Sequence, residues 1–526
     1  MRASTLRWLA VPLAAFSACS RDRGAAAGAG ATLRYAQVGW VNTLDPARAG
    51  WTVESRAIEQ LADGLTEVDA NLQSRAALAE SWQVGEGGRL YRFRLRSGVT
   101  LGEGEPLTSA VVAAALTRLA APGDLVGWSV VADIEGASEY RAGSADRIRG
   151  LETPDARTLV VRLASPSGRF LYQLATASAV VFGGPASEQA WEAGGVPGSG
   201  PFRLESRSSL HAGGPLRQRL VFRARPQASQ PPRVQGMVWD LYPSPAELLQ
   251  GLQLERYDVV LCSSPEEAPF ARALPRHRQR QTLSLGFLGL YFDCQKAPLD
   301  RPEVRRALAL AADREALGSS DLLPGFQLPG TLGPFLQSAL LRRDPQAAAA
   351  LAGRAGLDPG HAIKLRAAYS GGFEYGDLSG WIRGALRRSL QAIGVDLEAV
   401  EAPSAAALDA RYAARLDHAY LFGSFPDTAD PCLVLEPFRS RSAAFNWSRY
   451  SCPEVDQDYR TCAASSDVAS QRGAVAHALS LVAADAPLLP LSRIRQRVFL
   501  GPGVEGFVPS PLEGVDFTGV SLAQGP

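Results

Sequence analysis

The sequence is poor in the residues on which enzymes and metal centres most often depend. It contains five histidines, six cysteines and two methionines in 526 residues. No HExxH pair and no CxxC pair occurs, and the cysteines do not show zinc-ligand spacing. A GxSxG nucleophile elbow and a Walker A loop are also absent. We therefore expect neither an enzyme nor a protein that holds a metal or a cofactor.

The sequence also lacks an excess of charge of either sign. The formal net charge is +1, and Lys296 and Lys364 are the only lysines, so arginine carries nearly all the positive charge along the whole chain. Such a chain has no global field that attracts nucleic acid or an anionic membrane. The single GxGxxG string, Gly501–Gly506, is followed by Pro509 and Pro511 where a dinucleotide site needs a helix. This string predicts a turn.

No apolar run is long enough to span a bilayer, but a shorter one lies near the start. Residues Trp8–Ala18 have the length of a signal-peptide core. The run closes with Phe16, Ser17 and Ala18, and Cys19 follows directly. The last four resemble a bacterial lipobox, which implies a signal peptide over 1–18, a lipidated Cys19 and a small-residue tether over 19–31. The alternative is an ordinary secretory signal with a coincidental cysteine. Either version exports the protein.

Export would place the remaining cysteines in an oxidising compartment, where disulfides persist. Five cysteines follow Cys19, so at least one has no partner within the chain. Cys432, Cys452 and Cys462 are close in sequence. We expect one disulfide among these three.

Hydrophobic periodicity predicts alternating strands and helices. Residues 90–96 alternate between apolar residues and arginine, which is the period of a half-buried strand. Thr108 can cap a helix that runs to about Leu119. A helical pattern covers 52–61, and a strand pattern follows Gly394. The glycine-rich turn at 197–202 suggests positive φ angles.

The order of several short motifs resembles family 5 of the bacterial extracellular solute-binding proteins. These are the oligopeptide- and dipeptide-binding components of ABC importers. The motifs that carry the resemblance are LDP at 44–46, LAESW at 78–82, LRSGV at 95–99, GEPLT at 104–108, PGSGPF at 197–202, VRRAL at 304–308 with ADR at 312–314, and NWSRYSCPEVD at 446–456. The resemblance covers about residues 32–515.

That resemblance implies an α/β fold with two lobes, the periplasmic-binding-protein fold of the type II-like kind with an extra third domain. Mixed sheets flanked by helices would enclose a hinge-closing cleft. The implied parts are lobe I at 32–65, 183–280 and 495–526, an additional domain II at 66–182, and lobe III at 281–494.

The stretch 416–431 is the best candidate for a ligand-facing segment. It reads as an apolar strand followed by a loop with acids and aromatic rings, although a core strand with a solvated turn gives the same pattern. In peptide-binding members of the family the segment looks like WxxDxx[DE]P, with the aspartate on the ligand ammonium. Asp427 and Pro431 keep that spacing, and Ser424 stands in place of the tryptophan.

Six further ligand contacts are expected from the resemblance and the topology. Tyr420, Phe422 and Phe425 would provide aromatic faces near the ammonium. Arg411 would meet a ligand carboxylate, although a surface helix arginine fits equally well. Trp40 and Asn42 would line the near lobe, with first-strand packing as the alternative.

The expected function is that of a monomeric solute-binding protein, anchored to the envelope through Cys19. It would capture a peptide or peptide-like solute at the periplasmic or extracellular face and deliver it to ABC transporter permease subunits. Three alternatives stay open: a binder of nickel chelates or oligosaccharides, an envelope-anchored hydrolase, and a binding protein that senses rather than transports.

Overall fold

The computed structural model describes most of the chain. The described residues are 31–69, 72–102, 104–123, 125–184, 190–191, 195–211, 214–262, 267–317, 322–323, 339–370, 378–403, 405–424, 428–440, 446–465 and 467–523. The expected signal peptide, Cys19, Phe425 and Asp427 lie outside these residues. Within the described ranges, none of the helices combines the length and apolar character that crossing a bilayer requires.

The described residues form twenty strands, most of them short. In chain order they are β1 Thr32–Val38, β2 Thr66–Val68, β3 Ser74–Ala76, β4 Ala79–Gly85, β5 Leu90–Leu95, β6 Thr100–Leu101, β7 Glu105–Pro106, β8 Leu151–Asp155, β9 Thr158–Arg162, β10 Phe202–Leu210, β11 Arg217–Ala224, β12 Gly236–Tyr242, β13 Val259–Cys262, β14 Arg278–Phe292, β15 Ile363–Ser370, β16 Val395–Ala402, β17 Ala419–Ser424, β18 Leu488–Leu500, β19 Val504–Glu505 and β20 Ser521–Leu522.

Fourteen α-helices lie between these strands in the described residues. They are α1 Thr52–Leu61, α2 Ser109–Arg118, α3 Leu125–Val131, α4 Ala137–Arg141, α5 Phe170–Gln173, α6 Pro245–Leu254, α7 Glu267–Ala273, α8 Pro302–Ala311, α9 Pro345–Arg354, α10 Leu378–Trp381, α11 Arg387–Gln391, α12 Ala405–Ala413, α13 Pro453–Ala464 and α14 Val468–Asp485. A π-helical stretch, Ile382–Leu386, joins α10 to α11, and a 3₁₀ helix covers Pro431–Phe438.

One large mixed sheet organises the molecule. Its ten strands run in the order β10-β11-β12-β1-β13-β18-β14-β17-β15-β16. We call β10, β11, β12, β1 and β13 the first half, and β17, β15 and β16 the second half. Strands β14 and β18 pair with each other and have one end in each half. The α/β architecture with mixed sheets that the sequence predicts is therefore confirmed.

The β14–β18 pair is irregular where it passes between the halves. Arg278 pairs with Leu500 in the first half, and Tyr291 pairs with Leu488 in the second half. The register shifts between Leu283 and Phe287. A ladder that is interrupted in this way bends more easily than a continuous one.

Apolar side chains separate into three large cores. One core belongs to the first half, one to the second half, and one to a four-stranded sheet of order β4-β5-β9-β8. We call this sheet and helices α2 to α5 the small unit. The domain limits expected from the sequence stay a prediction.

Most of the periodic patterns match elements of the structure. Helix α1 covers the predicted 52–61, and the Thr108 hydroxyl accepts a hydrogen bond from the amide of Val111 at the start of α2, 3.3 Å away. In β5, Tyr91, Phe93 and Leu95 are buried while the arginines between them are exposed. The GxGxxG string forms a turn that leads into β19, as predicted.

The disulfide expectation is confirmed. Cys432 and Cys462 are bonded, which ties the 3₁₀ helix at 431–438 to α13. Cys452 is a free, partly buried thiol. The bond closes a loop of 30 residues inside the second half.

The prediction of positive φ in the glycine-rich turn is wrong. Neither Gly198 nor Gly200 has a positive φ. Glycine is required there because the turn lies directly against the end of α1: a Cβ on Gly198 would come within 2.0 Å of the carbonyl oxygen of Leu61. The amide of Gly200 donates to the same oxygen at 3.0 Å.

This close approach gives a stability prediction. Gly198→Ala should lower the free energy of unfolding by about 2 kcal/mol, because the new methyl group forces the turn away from α1. Gly195→Ala is the matched control, since its Cβ would meet its nearest neighbour at 3.7 Å. Chemical denaturation measures both. Equal stability of the two variants would contradict this account of the turn.

Candidate functional site

The first half presents the end of its first strand toward the second half. Strand β1 runs parallel to β13, and Gln37 near its end pairs with Leu261. Leu261 pairs with Val498 of β18, whose earlier residues belong to the second half. The chain that leaves β1, with half-buried Trp40 and exposed Asn42, therefore emerges at the edge that faces the second half. Ligands of open α/β sheets bind outside such strand ends.

Two buried polar side chains hold this segment in place. The Gln218 amide accepts from the amide of Val41 and donates to its carbonyl, each at 3.0 Å. The Glu54 carboxylate accepts from the backbone amides of Asn42, at 2.9 Å, and Trp51, at 3.2 Å. Burial raises the pKa of Glu54. Hydrogen bonds from buried side chains thus hold the backbone of the segment after β1 in one position.

The second half presents the end of β17 toward the first half. Ser424, its last residue, pairs with Phe287 of β14, next to the irregular part of the crossing strands. Phe422 is half-buried and stacks on Trp447, with ring centroids 4.6 Å apart and planes 15° apart. Three residues then connect Ser424 to Thr428. Phe425 and Asp427 are among these three and lie outside the described residues.

Tyr420 is less accessible than the sequence suggests. It is 0% exposed, and its ring meets Tyr412 and Trp447 edge-on at 5.3 and 5.9 Å. Burial raises the pKa of its phenol. A direct contact of Tyr420 with a solute stays a prediction, and this burial argues against it.

Arg411 lies at the opposite end of β17 from the predicted ligand loop. Its guanidinium makes two hydrogen bonds of 2.8 Å to the fully buried carboxylate of Asp417, just before the strand begins. These bonds are the main cause that raises the pKa of Arg411. Six strand residues span about 17 Å. A ligand contact by Arg411 stays a prediction, and its distance from the cleft argues against it.

His418 makes a structural contact with the neighbouring strand. Its Nδ1 accepts a hydrogen bond from the backbone amide of Arg366, 3.1 Å away, within β15. Burial lowers its pKa, with further effect from nearby Lys296 and Arg366. Among the described residues, no three metal-ligating side chains come together.

The segment after the predicted ligand loop packs on the small unit. The Thr428 hydroxyl donates to the carbonyl of Tyr172 at 3.3 Å, and Ala429 packs in a small apolar cluster with Leu72 and Leu285. Asp430 caps the following 3₁₀ helix by accepting from the amide of Cys432 at 2.9 Å. The sequence predicted this turn, but its contact with the small unit joins residues more than 250 positions apart and leaves no local pattern.

Comparison with known proteins gives one family match. The family described as "Bacterial extracellular solute-binding proteins, family 5 Middle" matches residues 74–446 of this chain. The peptide transport periplasmic protein SapA of Salmonella typhimurium strain LT2 is 26% identical, covering 93% of this chain and 91% of the relative.

Solved structures of similar fold cover nearly the whole chain. The Escherichia coli murein tripeptide binding protein MppA has a TM-score of 0.80 at 18% identity, covering 94% of this chain and 99% of that one. Staphylococcus aureus NikA in complex with Ni(L-His)2 has a TM-score of 0.76 at 13% identity, covering 94% and 100%. At these identities the likeness shows the fold alone.

The position of Arg411 gives a prediction that separates structure from binding. Arg411→Gln should lower the free energy of unfolding by about 2 kcal/mol, because Arg366, 3.4 Å away, would be the one ion-pair partner that the described residues still offer to the buried Asp417 carboxylate. Its solute affinity should match that of the wild type. Denaturant unfolding and calorimetric titration measure the two quantities.

Arg387→Gln is the matched control for that prediction. Arg387 also makes two hydrogen bonds to one aspartate, Asp396, but on the exposed surface. Its loss should shift stability less than the loss of Arg411. Weakened solute binding by Arg411→Gln at unchanged stability would restore Arg411 as a ligand contact.

Proposed function

Because the chain belongs to the bacterial extracellular solute-binding proteins of family 5, we propose that it captures a peptide or peptide-like solute in the cleft between the two halves. The chain has the two-lobed periplasmic-binding-protein fold predicted from its sequence. The observation that carries the proposal is topological. The ends of β1 and β17 face each other across the crossing strands, and each is followed by a segment with aromatic and polar side chains.

A peptide as the class of ligand is supported by the relatives and by the chemistry of the two segments that follow β1 and β17. SapA is named a peptide transport periplasmic protein, and MppA is named a murein tripeptide binding protein. We propose Asp427 as the partner of the ligand ammonium, since a desolvated cation needs an opposite charge. Phe422 and Phe425 would add aromatic faces beside it. Trp40 and Asn42 would contact the solute from the opposite wall.

The cellular role that we propose is capture at the envelope and delivery to an ABC transporter permease. Cys19 would carry the lipid anchor, and residues 19–31 would be the tether, long enough for roughly 20 Å of reach. The Cys432–Cys462 disulfide supports an oxidising compartment outside the cytoplasm. We propose that the protein acts as a monomer that binds and releases its solute without changing it.

A nickel chelate is the second candidate ligand. One protein of similar fold, NikA, is seen with a nickel–histidine complex. Ser424 also stands where peptide binders of the family have tryptophan, which bears on the ligand class. A chelate would bring its own metal ligands, so it does not require a cluster of metal-ligating side chains in this chain.

Asp427→Asn is the direct test of the proposed ammonium contact. Removing one half of a buried charge pair should weaken peptide binding by about 2–5 kcal/mol. The measurement is calorimetric titration of the wild type and the variant with peptides of two to five residues. Asp300→Asn is the control, because Asp300 is exposed and lies next to α8, away from both strand ends. Its affinity should equal that of the wild type.

Three results would change the proposal. Unchanged peptide affinity in Asp427→Asn would remove the ammonium role from Asp427. Binding of a nickel–histidine complex without binding of any peptide would move the ligand class. Turnover of a peptide by the wild type, lost in a single acid-to-amide variant, would favour the hydrolase alternative.

A further inference from the structure

A buried group of charged and aromatic side chains joins the small unit to the second half. Arg169, just before α5, enters it from the small unit. Asp430, Glu436 and Arg439 come from the 3₁₀ helix and its two ends, and Tyr459 comes from α13. The side chains of Asp430 and Glu436 are 0% and 9% exposed, and that of Arg169 is 13% exposed. Two arginines thus balance two carboxylates.

Arg169 makes charged contacts that cross from the small unit to two carboxylates of the second half. Its Nε lies 2.9 Å from Asp430 Oδ2, so the two side chains form an ion pair. Its Nη1 lies 3.6 Å from Glu436 and donates to the Tyr459 hydroxyl. Tyr459 in turn donates to Glu436 at 2.7 Å.

Tyr459 lies between two guanidinium groups. The Arg439 guanidinium carbon is 3.9 Å from its ring centroid, and that of Arg169 is 5.5 Å away. Arg439 also binds both oxygens of Glu436 at 2.8 Å. Three of these side chains therefore remain together on the second half whether or not Arg169 is present.

Two hydrogen bonds near this group also connect the small unit to the second half. The backbone amide of Gly168 donates to the carbonyl of Ala463 at 2.9 Å. The hydroxyl of Thr428 donates to the carbonyl of Tyr172. Beside them, Leu72 and Tyr172 pack with Ala429 and Leu285. Backbone, apolar and charged contacts therefore meet along one continuous boundary.

The charges make this boundary sensitive to a single residue. Burial raises the pKa of Asp430, and the nearby Arg169 is the first cause that opposes the rise. Without Arg169, closure would bury two carboxylates against one arginine, which is costly. When the parts separate, Asp430 would return to water, and Glu436 would keep Arg439 as its partner. The cost of burying these charges offsets part of their attraction, so the charged contacts contribute less net free energy to the boundary than their number suggests.

We propose that Arg169 is a latch residue that holds the small unit against the second half in the closed protein. The latch acts on closure through Asp430, which lies three residues after Asp427, and needs no contact with the solute. It rests on the proposed function in one respect, namely that the two parts separate to admit a solute. The latch would set how long the closed state lasts.

The amide of Gly168 is a direct reporter of this boundary, because its acceptor lies on the other side. Hydrogen exchange followed by mass spectrometry, on the whole protein without added solute, measures its protection. Arg169→Gln should make this amide exchange at least about tenfold faster than in the wild type, with the cores of the small unit and the second half unchanged. An unchanged rate at Gly168 would overturn the proposal.

Arg149→Gln is the matched control on the same unit. Arg149 pairs with Glu135 and Glu139 on the exposed surface, and its side chain is 56% exposed. Its loss should leave the Gly168 amide protected. Acceleration by both variants alike would assign the effect to the small unit as a whole and overturn the latch.

Tyr459→Phe is the second variant, for the case in which backbone amides throughout the small unit exchange rapidly in Arg169→Gln. It removes the hydroxyl that joins Arg169 to Glu436 and leaves every charge in place. Selective acceleration at Gly168 supports the latch, and an unchanged rate overturns it. Since no solute is present, a protein that binds no peptide can still have the latch, and the two failures are distinguishable.

Discussion

The pairing of β14 with β18 is the constraint on which the rest of the structure depends. These two strands join the halves of the ten-stranded sheet, and every strand of one half reaches the other half through them. Their register places the end of β1 and the end of β17 on facing edges. A rotation of the halves about the interrupted ladder between Leu283 and Phe287 would leave the pairing on either side intact.

Closure of such a cleft requires contacts that are favourable but replaceable. An apolar boundary alone would hold the parts together permanently, and an exposed charge pair alone would contribute little. At the boundary with the small unit, a few apolar side chains combine with a buried charge group that is balanced only when Arg169 is in place. The solute would then add the remaining free energy that favours the closed protein.

Sequence patterns predicted the local elements well because their causes are local. The alternation in β5, the cap at Thr108 and the helix over 52–61 each follow from neighbouring residues. The strand at 419–424 was also predicted, with the acid-bearing loop after it. The roles proposed for Asp427 and Phe425 stay predictions, because these residues lie outside the described part of the chain.

Features that depend on distant residues were not predictable. The length of β14 and β18 follows from pairing across some two hundred positions, and their sequences show no break between the halves. Gly198 looked like a positive-φ turn, although the carbonyl of Leu61 is the reason for glycine. The ion pair of Arg411 with Asp417 was likewise not predicted, and a ligand contact by Arg411 stays a prediction. No sequence pattern indicated the charged group around Arg169, since its partners are more than 250 residues away in the chain.

Native mass spectrometry is the most direct test of the central claim, which is the capture of an unmodified peptide. The protein, lacking its first nineteen residues, is mixed with peptides of two to five residues and transferred intact. We predict complexes of one chain with one peptide, which release the peptide whole on denaturation. Absence of any peptide complex, or release of cleaved peptides, would contradict the account.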